Sequence, residues 1–293
     1  MQTRTIKSIF TAKPVLEGAG VHLKRAFGYY EMPQFDPFLL MDDFRNDDPG
    51  KYLKGFPWHP HRGIETITYM LEGSAEHGDS MGNKGTISAG DVQWMTAGSG
   101  IIHQEMPKPG PDGRMYGFQL WANLPASHKM MKPRYQDVKA SEIPEVVLDN
   151  GAKLRVICGE INGIKGPVKD IIIDPEYLDI TVPAGTEYFH PTKPGYTAFI
   201  YVIGGRMEAW GQGGMEAEGQ GGMEEVVENG TLMLYEDGDQ VRIKAADSFV
   251  RLLFISGKPL NEPIAWGGPI VMNTKEELDQ AFEDYRSGRF IKS

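Results

Sequence analysis

The sequence predicts an all-β fold of the sandwich or barrel type, divided into two domains and closed by one helix. Turn-forming residues are frequent, with 36 glycines and 20 prolines, and short runs rich in β-branched and aromatic residues lie between them. Only one segment, near the C-terminus, has a clear helical period. The length of 293 residues is enough for one large or two ordinary domains, and we expect two.

The predicted strands are apolar runs bounded by glycine turns. They lie within residues 63–73, 85–98, 116–124, 153–161, 196–205 and 231–244. Two dipeptides typical of tight turns, Asn229-Gly230 and Asp237-Gly238, stand on either side of the run that begins at Thr231. Both are therefore predicted to form tight hairpins.

The predicted helix covers residues 273–290. Asn273 or Thr274 is suited to the N-cap, two glutamates lie in the first turn, and Gly288 is suited to the C-cap. Four apolar residues recur at helical spacing, which predicts a stripe that packs on a sheet: Leu278, Ala281, Phe282 and Tyr285. We expect the helix to close and stabilise the fold.

A polar segment with three prolines, residues 124–146, separates the two groups of strands and is typical of a connection between domains. We place the boundary near residue 136, which gives domains of residues 1–135 and 136–293. A glycine-rich duplication at residues 211–224 is predicted to be a mobile loop, with a lid as the alternative. It does not match the dinucleotide fingerprint, because Glu216 and Glu224 occupy the third glycine position.

The overall charge excludes some classes of partner. A net charge of −10, without a cluster of basic residues, argues against direct binding of nucleic acid. No apolar stretch is long enough to span a membrane, and the first residues lack the apolar core of a secretory signal. The only cysteine, Cys158, lies in an apolar strand and is expected to be a buried thiol. We expect a cytoplasmic monomer, also nuclear if the source is eukaryotic.

Two pairs of side chains predict a metal site. His59 and His61 are two residues apart, and His103 and Glu105 repeat this spacing after a glycine-rich turn. Residues i and i+2 of a strand point to the same face, so two neighbouring strands would bring all four side chains together. Three imidazoles and one carboxylate leave coordination positions open, and they suit Fe(II), Mn(II), Ni(II), Cu(II) or Zn(II).

Apolar and aromatic residues beside these strands could line a flat pocket, although most are expected to be core: Phe56, Trp58, Met70, Trp94, Met95, Phe118 and Trp121. The other four histidines lie outside these two pairs. For His22, His77, His128 and His190 we expect structural or solvent-exposed positions.

Three segments resemble the pirin family of the cupin superfamily: "HPHRGIETITYMLEG", "GDVQWMTAGSGIIHQEMP" and the tail beginning "GKPLNEPIAWGG". The resemblance extends over essentially the whole chain and implies two cupin (jelly-roll) β-barrels packed together, with metal only in the N-terminal one. The absence of a second H-x-H motif agrees with a metal-free C-terminal barrel. The implied ligands are His59, His61, His103 and Glu105, and the implied ion is iron. Glu65, which occupies the carboxylate position used by many other cupins, is an outer residue or a spare ligand.

The resemblance also implies two kinds of function. Some pirin-like proteins are associated with quercetin 2,3-dioxygenase activity, which implies a flavonol-like substrate and dioxygen, with Glu105 as ligand, base or both. Other members are described as iron-dependent transcriptional co-regulators, which implies a non-enzymatic protein whose protein partner senses the redox state of the metal. A third alternative is a bicupin whose metal has no role. The sequence favours the dioxygenase without excluding the others.

Overall fold

A computed structural model describes residues 1–210 and 224–292. The glycine-rich duplication predicted to form a loop lies outside the described residues, apart from the backbone of Glu224. The strands, in chain order, are β1 Ile6–Thr11, β2 Lys13–Glu17, β3 Val21–Phe27, β4 Phe38–Asp43, β5 Phe56–His61, β6 Ile64–Glu72, β7 Ser74–Asp79, β8 Lys84–Ser88, β9 Val92–Thr96, β10 Ile101–Lys108, β11 Tyr116–Asn123, β12 Arg134–Val138, β13 Glu145–Val147, β14 Lys153–Cys158, β15 Glu160–Ile161, β16 Ile164–Lys165, β17 Glu176–Val182, β18 Glu187–Pro191, β19 Thr197–Trp210, β20 Glu224–Glu228, β21 Thr231–Tyr235, β22 Gln240–Gly257, β23 Ala265–Gly267 and β24 Ile270–Met272.

Helical structure is sparse in the described part of the chain. The α-helix α1 spans Lys275–Arg286, and short 3₁₀ turns lie at Met32–Gln34, Pro49–Lys51, Ala126–His128 and Ala140–Glu142. Among the described residues, no helix has the length and apolar character of a membrane span. The predicted all-β class is confirmed.

The chain divides into two compact units. One, called here the N-terminal unit, contains Lys13–Glu142 and Leu260–Ser293; the other, the C-terminal unit, contains Met1–Ala12 and Ile143–Pro259. The division at residue 142 lies close to the predicted boundary at 136. However, the first 12 residues belong to the C-terminal unit, and the residues from Leu260 onward belong to the N-terminal unit. A single boundary cannot describe this exchange of the chain ends. The closing helix, assigned to the second domain from the sequence, is therefore part of the N-terminal unit.

The N-terminal unit contains two large antiparallel sheets and the two-stranded sheet β23-β24. The larger has the strand order β12-β9-β6-β11-β4-β3-β2, and the smaller has the order β5-β10-β7-β8. Strand β6 lies inside the larger sheet and buries every residue from Ile64 to Met70, which agrees with its nearly continuous run of β-branched and apolar residues. The smaller sheet contains β5 and β10, which carry the predicted metal ligands.

The helix packs as three residues of its apolar stripe predict, but Tyr285, the fourth, is 41% exposed. Thr274 is its N-cap and forms a capping box with Glu277, and Gly288 follows the C-cap Ser287 with a φ of 73°. Ala281 is fully buried in a cluster with the β24 residues Ile270 and Met272, and Leu278 and Phe282 pack against it. The helix thus covers the β23–β24 hairpin.

The C-terminal unit is built on one antiparallel sheet with the order β1-β21-β19-β22-β17-β14-β13, to which β18 and β20 add at the sides. Its core contains fully buried aliphatic and aromatic residues from the central strands, among them Leu178, Ile200, Leu252 and Phe254. Cys158 is buried, as expected.

Both predicted tight hairpins in this unit are wrong. β20 and β21, on either side of Asn229-Gly230, both pair with β19. This dipeptide is therefore a break between two strands that run along the same edge of β19, and it does not join two strands that pair with each other. β21 and β22, on either side of Asp237-Gly238, are separated in the sheet by β19. A turn dipeptide reports only local backbone preference, whereas the 14-residue strand β19 provides the long-range partner.

Candidate metal centre

The predicted ligands lie on neighbouring strands. β5 and β10 are antiparallel, and His103 lies directly opposite His59. The turn that leads into β10 contains Gly98 and Gly100, both at positive φ. A Cβ atom at Gly98 would lie 2.2 Å from the carbonyl oxygen of Met131, so this turn requires glycine. The glycine-rich turn therefore fixes where the second ligand strand begins.

Three imidazoles converge in one cluster. One nitrogen from each of His59, His61 and His103 lies within 4.8 Å of the others. The ring centroids of His59 and His103 are 4.4 Å apart, and those of His61 and His103 are 5.1 Å apart. His61 and His103 are buried. These are three of the four side chains that the sequence predicts to converge.

The hydrogen bonds of two rings direct their remaining nitrogens toward each other. Nδ1 of His59 lies 2.9 Å from the carbonyl oxygen of Pro57, and Nδ1 of His61 lies 3.1 Å from that of Pro269. A carbonyl oxygen only accepts hydrogen bonds, so both Nδ1 atoms donate and both Nε2 atoms carry the lone pair when neutral. The two Nε2 atoms are 3.1 Å apart. This contact is favourable only with a positive species at that point, either a proton or a metal ion.

The low pKa of two of the three rings, His61 and His103, favours a metal ion over a proton at this point. Burial, with the neighbouring His59 as a second cause, lowers the pKa of His61 to about 3. Burial also lowers the pKa of His103 well below its ordinary value, and both of its ring nitrogens are buried without a hydrogen-bond partner among the described residues. Neutral imidazole is the form that binds metal. Two ligands at right angles with bonds of about 2.1 Å are about 3 Å apart, so the residues fit a divalent ion.

Glu105, the fourth predicted ligand, lies outside the cluster of three. Its carboxylate accepts hydrogen bonds from Nε2 of Gln119, at 3.3 and 3.4 Å, and from Oγ1 of Thr68, at 3.4 Å. The pairing of β10 with β5 shifts between His103 and Glu105, so that Glu105 lies opposite Phe56. These bonds are long and therefore weak. Glu105 nevertheless lines the same cavity as His59 and His61.

Glu65 is directed elsewhere. Its Oε1 accepts a hydrogen bond of 2.6 Å from Oγ1 of Thr96 on the neighbouring strand β9, and burial raises the pKa of its carboxyl group. Among the remaining histidines, His22 is exposed and His190 is buried between Tyr188 and Glu176, with both ring nitrogens hydrogen-bonded. In the described ranges, no second group of three such side chains converges.

A cavity of about 640 Å³ opens beside the histidines. Aromatic rings form much of its wall. Another part of the wall is polar and includes Arg25, whose guanidinium donates two hydrogen bonds of 2.8 Å to the carboxylate of Asp42. The lining consists of Glu17, Gly18, Ala19, Arg25, Tyr29, Leu40, Asp42, Phe56, Pro57, His59, His61, Glu105, Gln119, Trp121, Trp266, Gly268 and Pro269. Its volume lies within the range of about 300–1,000 Å³ that is typical of small-molecule sites.

Only part of this lining was predicted. Of the seven apolar residues proposed from the sequence, Phe56 and Trp121 line the cavity, whereas Trp94, Met95 and Phe118 are buried in the core. Met70 is buried beside a smaller cavity, and Trp58 is 52% exposed. Tyr29, Gln119 and Trp266 were missed. Gln119 is a polar residue of β11 between Phe118 and Trp121, and only the tertiary structure brings Tyr29 and Trp266 to this cavity.

Comparison with known proteins agrees with this geometry. The family model Pirin matches residues 20–122, and the model of the Pirin C-terminal cupin domain matches residues 177–291. A pirin-like protein of Caulobacter vibrioides is 42% identical over 291 residues, covering 99% of this chain and all of the relative. Human pirin is 40% identical over 275 residues, covering 93% of this chain and 89% of its own length.

A solved structure supports the same assignment. The crystal structure of a quercetin 2,3-dioxygenase from Acinetobacter baumannii superposes with a TM-score of 0.86 at 31% identity, covering 99% of both chains. The predicted cupin fold is therefore confirmed. With both pirin family models matched and relatives about 40% identical over nearly the whole chain, this chain belongs to the pirin family.

Proposed function

We propose that this protein is a metal-dependent dioxygenase that cleaves flavonols such as quercetin. The observation that carries the proposal is the convergence of three histidines, with Nε2 of His59 and Nε2 of His61 3.1 Å apart, at the wall of an aromatic cavity. The similarity to a solved quercetin 2,3-dioxygenase supports the choice of substrate class.

His59, His61 and His103 would hold the ion, for which we propose Fe(II), and Glu105 is the proposed fourth ligand. When bound, the ion would supply Lewis-acid stabilisation of negative charge on substrate oxygens. Because burial lowers the pKa of His61 and His103, these two rings need no proton loss before they bind it.

Glu105 is also placed to act as a base. Its carboxylate shares the cavity with the histidines and can accept the proton of the flavonol 3-hydroxyl group. Gln119 and Thr68 donate long hydrogen bonds to it. A base requires the carboxylate form of this side chain.

The aromatic side chains would position the flat substrate. Trp121 and Trp266 are 6.3 Å apart between ring centroids, with their planes inclined by 35°, and Phe56 lines the same cavity. A planar ring system gains both apolar burial and ring contacts against such walls. This arrangement suits an aromatic substrate better than an aliphatic one of equal size.

Oxygen consumption by iron-loaded protein tests the proposal. We expect turnover with a panel of flavonols, its loss in His59→Ala and His103→Ala, and unchanged turnover in the control His22→Ala, whose side chain is exposed. Glu105→Gln should retain metal and lose about 10²-fold to 10⁴-fold in turnover. Iron-loaded protein that consumes no oxygen with any flavonol refutes the activity. Full turnover by metal-loaded Glu105→Gln refutes the base role.

A further inference from the structure

The last segment of the chain, residues 260–292, reaches the histidine cluster; we call it the C-terminal strap. The turn between β23 and β24 places the carbonyl oxygen of Pro269 3.1 Å from Nδ1 of His61. Trp266, Gly268 and Pro269 also line the cavity. The strap thus supplies both the outer hydrogen-bond partner of one predicted ligand and part of the cavity wall.

The strap is fastened at the residue that follows this ligand. Arg62 is 2% exposed, and its guanidinium donates to Oδ2 of Asp284 at 2.9 Å and to the carbonyl oxygen of Phe290 at 2.8 Å. Its third bond, of 2.7 Å, goes to the carbonyl oxygen of Ser99 in the turn before β10. One buried side chain therefore joins the strap to the ends of both ligand strands.

The backbone provides a second attachment. The amide of Val271 donates to the carbonyl oxygen of Arg62 at 3.1 Å. A Cβ atom at Gly63, which has a φ of 78°, would lie 2.0 Å from the carbonyl oxygen of Val271. The strap therefore lies directly against the β5–β6 turn, and a shift of the strap would move the partner of His61.

We propose that the C-terminal strap is a positioning element of the metal centre, and that Asp284 is a positioning residue acting through Arg62 and His61. Fastened by the Arg62–Asp284 pair, the strap holds the His61 ring so that Nε2 faces the cluster. Outer hydrogen-bond partners of metal-binding histidines typically change metal affinity by about 10-fold to 100-fold. The inference rests on the metal centre of the proposed function, but it concerns metal affinity rather than turnover.

The test measures Co(II) affinity by competition with a chromophoric chelator, together with the visible spectrum of the bound ion. Asp284→Asn removes the charge that faces Arg62 and Lys292 and keeps the side-chain shape. Asp279→Asn is the matched control, because Asp279 lies on the same helix, is exposed and pairs with Lys275 at 2.6 Å. We expect Co(II) binding to weaken at least 10-fold in Asp284→Asn, with altered visible bands, and to change less than 2-fold in the control.

A second variant covers the case in which Asp284→Asn does not fold. Pro269→Gly keeps the carbonyl group that accepts from His61 but frees its backbone, and Pro269 is only half-buried. We expect a several-fold loss of Co(II) affinity. Unchanged affinity and spectrum in folded Pro269→Gly and Asp284→Asn would overturn the strap inference alone. If the unsubstituted protein binds no Co(II), or if the His103→Ala variant has the same Co(II) affinity as the unsubstituted protein, the metal centre and the inference both fail.

Discussion

Among the residues that the structure describes, no carboxylate pairs with the buried Lys129, and its replacement gives a quantitative prediction. Its side chain is 1% exposed, and Nζ donates to the carbonyl oxygen of Gly63 at 2.9 Å and to Oδ1 of Asn123 at 2.5 Å. Burial lowers the pKa of its ammonium group to about 7, and the more distant charges of Glu262 and Glu277 oppose this shift. The charged form is therefore disfavoured in the folded protein.

The size of the effect follows from the shift. A change from 10.5 to about 7 corresponds to about 5 kcal/mol against the charged form. Between these two pH values the unfolded chain binds more protons at this position than the folded one, so the stability of the protein rises with pH. The penalty is fully present below about pH 7 and is removed as the pH approaches 10.5.

The variant Lys129→Met isolates this contribution. Methionine has a similar length and no charge, but it removes the donor to Oδ1 of Asn123, at a cost of about 1–3 kcal/mol, so the two effects oppose each other near pH 7. The carbonyl oxygen of Gly63 keeps a bond of 3.4 Å from the amide of Leu124. The diagnostic quantity is the pH trend. Relative to Lys129→Met, the unsubstituted protein should gain about 4 kcal/mol in free energy of unfolding between pH 6 and pH 10.

Urea unfolding followed by tryptophan fluorescence measures this trend. Four of the five tryptophans, Trp58, Trp94, Trp121 and Trp266, belong to the N-terminal unit, so the signal reports mainly on the unit that contains Lys129. Lys132→Met is the control for removing a lysine from the surface. A stability difference between the unsubstituted protein and Lys129→Met that stays constant from pH 6 to pH 10 would refute the reasoning.

Three further changes test the packing. Leu252→Ala, at a fully buried position of the C-terminal core, should lower the free energy of unfolding by about 2–5 kcal/mol in urea titrations. Gly205→Ala should lower the melting temperature by several degrees in calorimetry, since Gly205 has a φ of 69° and its added Cβ would lie 1.7 Å from the carbonyl oxygen of Phe249. Thr274→Ala, which removes the N-cap side chain of α1, should cost about 1 kcal/mol by urea unfolding, and Thr274→Ser should restore most of the loss. A neutral result in any of these variants contradicts the packing described for that residue.

The three histidines were predictable because their information is local. The period of a strand puts His59 and His61 on one face, and the glycine turn before Ile101 starts the second strand in a fixed phase. What the spacing could not give is the placement of Glu105. A shift in the pairing of β5 and β10 and hydrogen bonds from Gln119 and Thr68 separate its carboxylate from the three nitrogens, and its role as ligand and base stays a prediction.

The amino-acid sequence by itself determined the β-rich class, the α1 helix with its cap, and the strands that carry the histidines, because alternation, turn residues and capping act over a few neighbouring positions. The tertiary structure alone decided how distant segments combine. It showed that β19 separates the strands around two turn dipeptides, that the first 12 residues join the C-terminal unit, and that the strap reaches His61 from a position 208 residues away. Such pairings depend on which buried surfaces and hydrogen-bonding edges complement each other, and no local pattern records that.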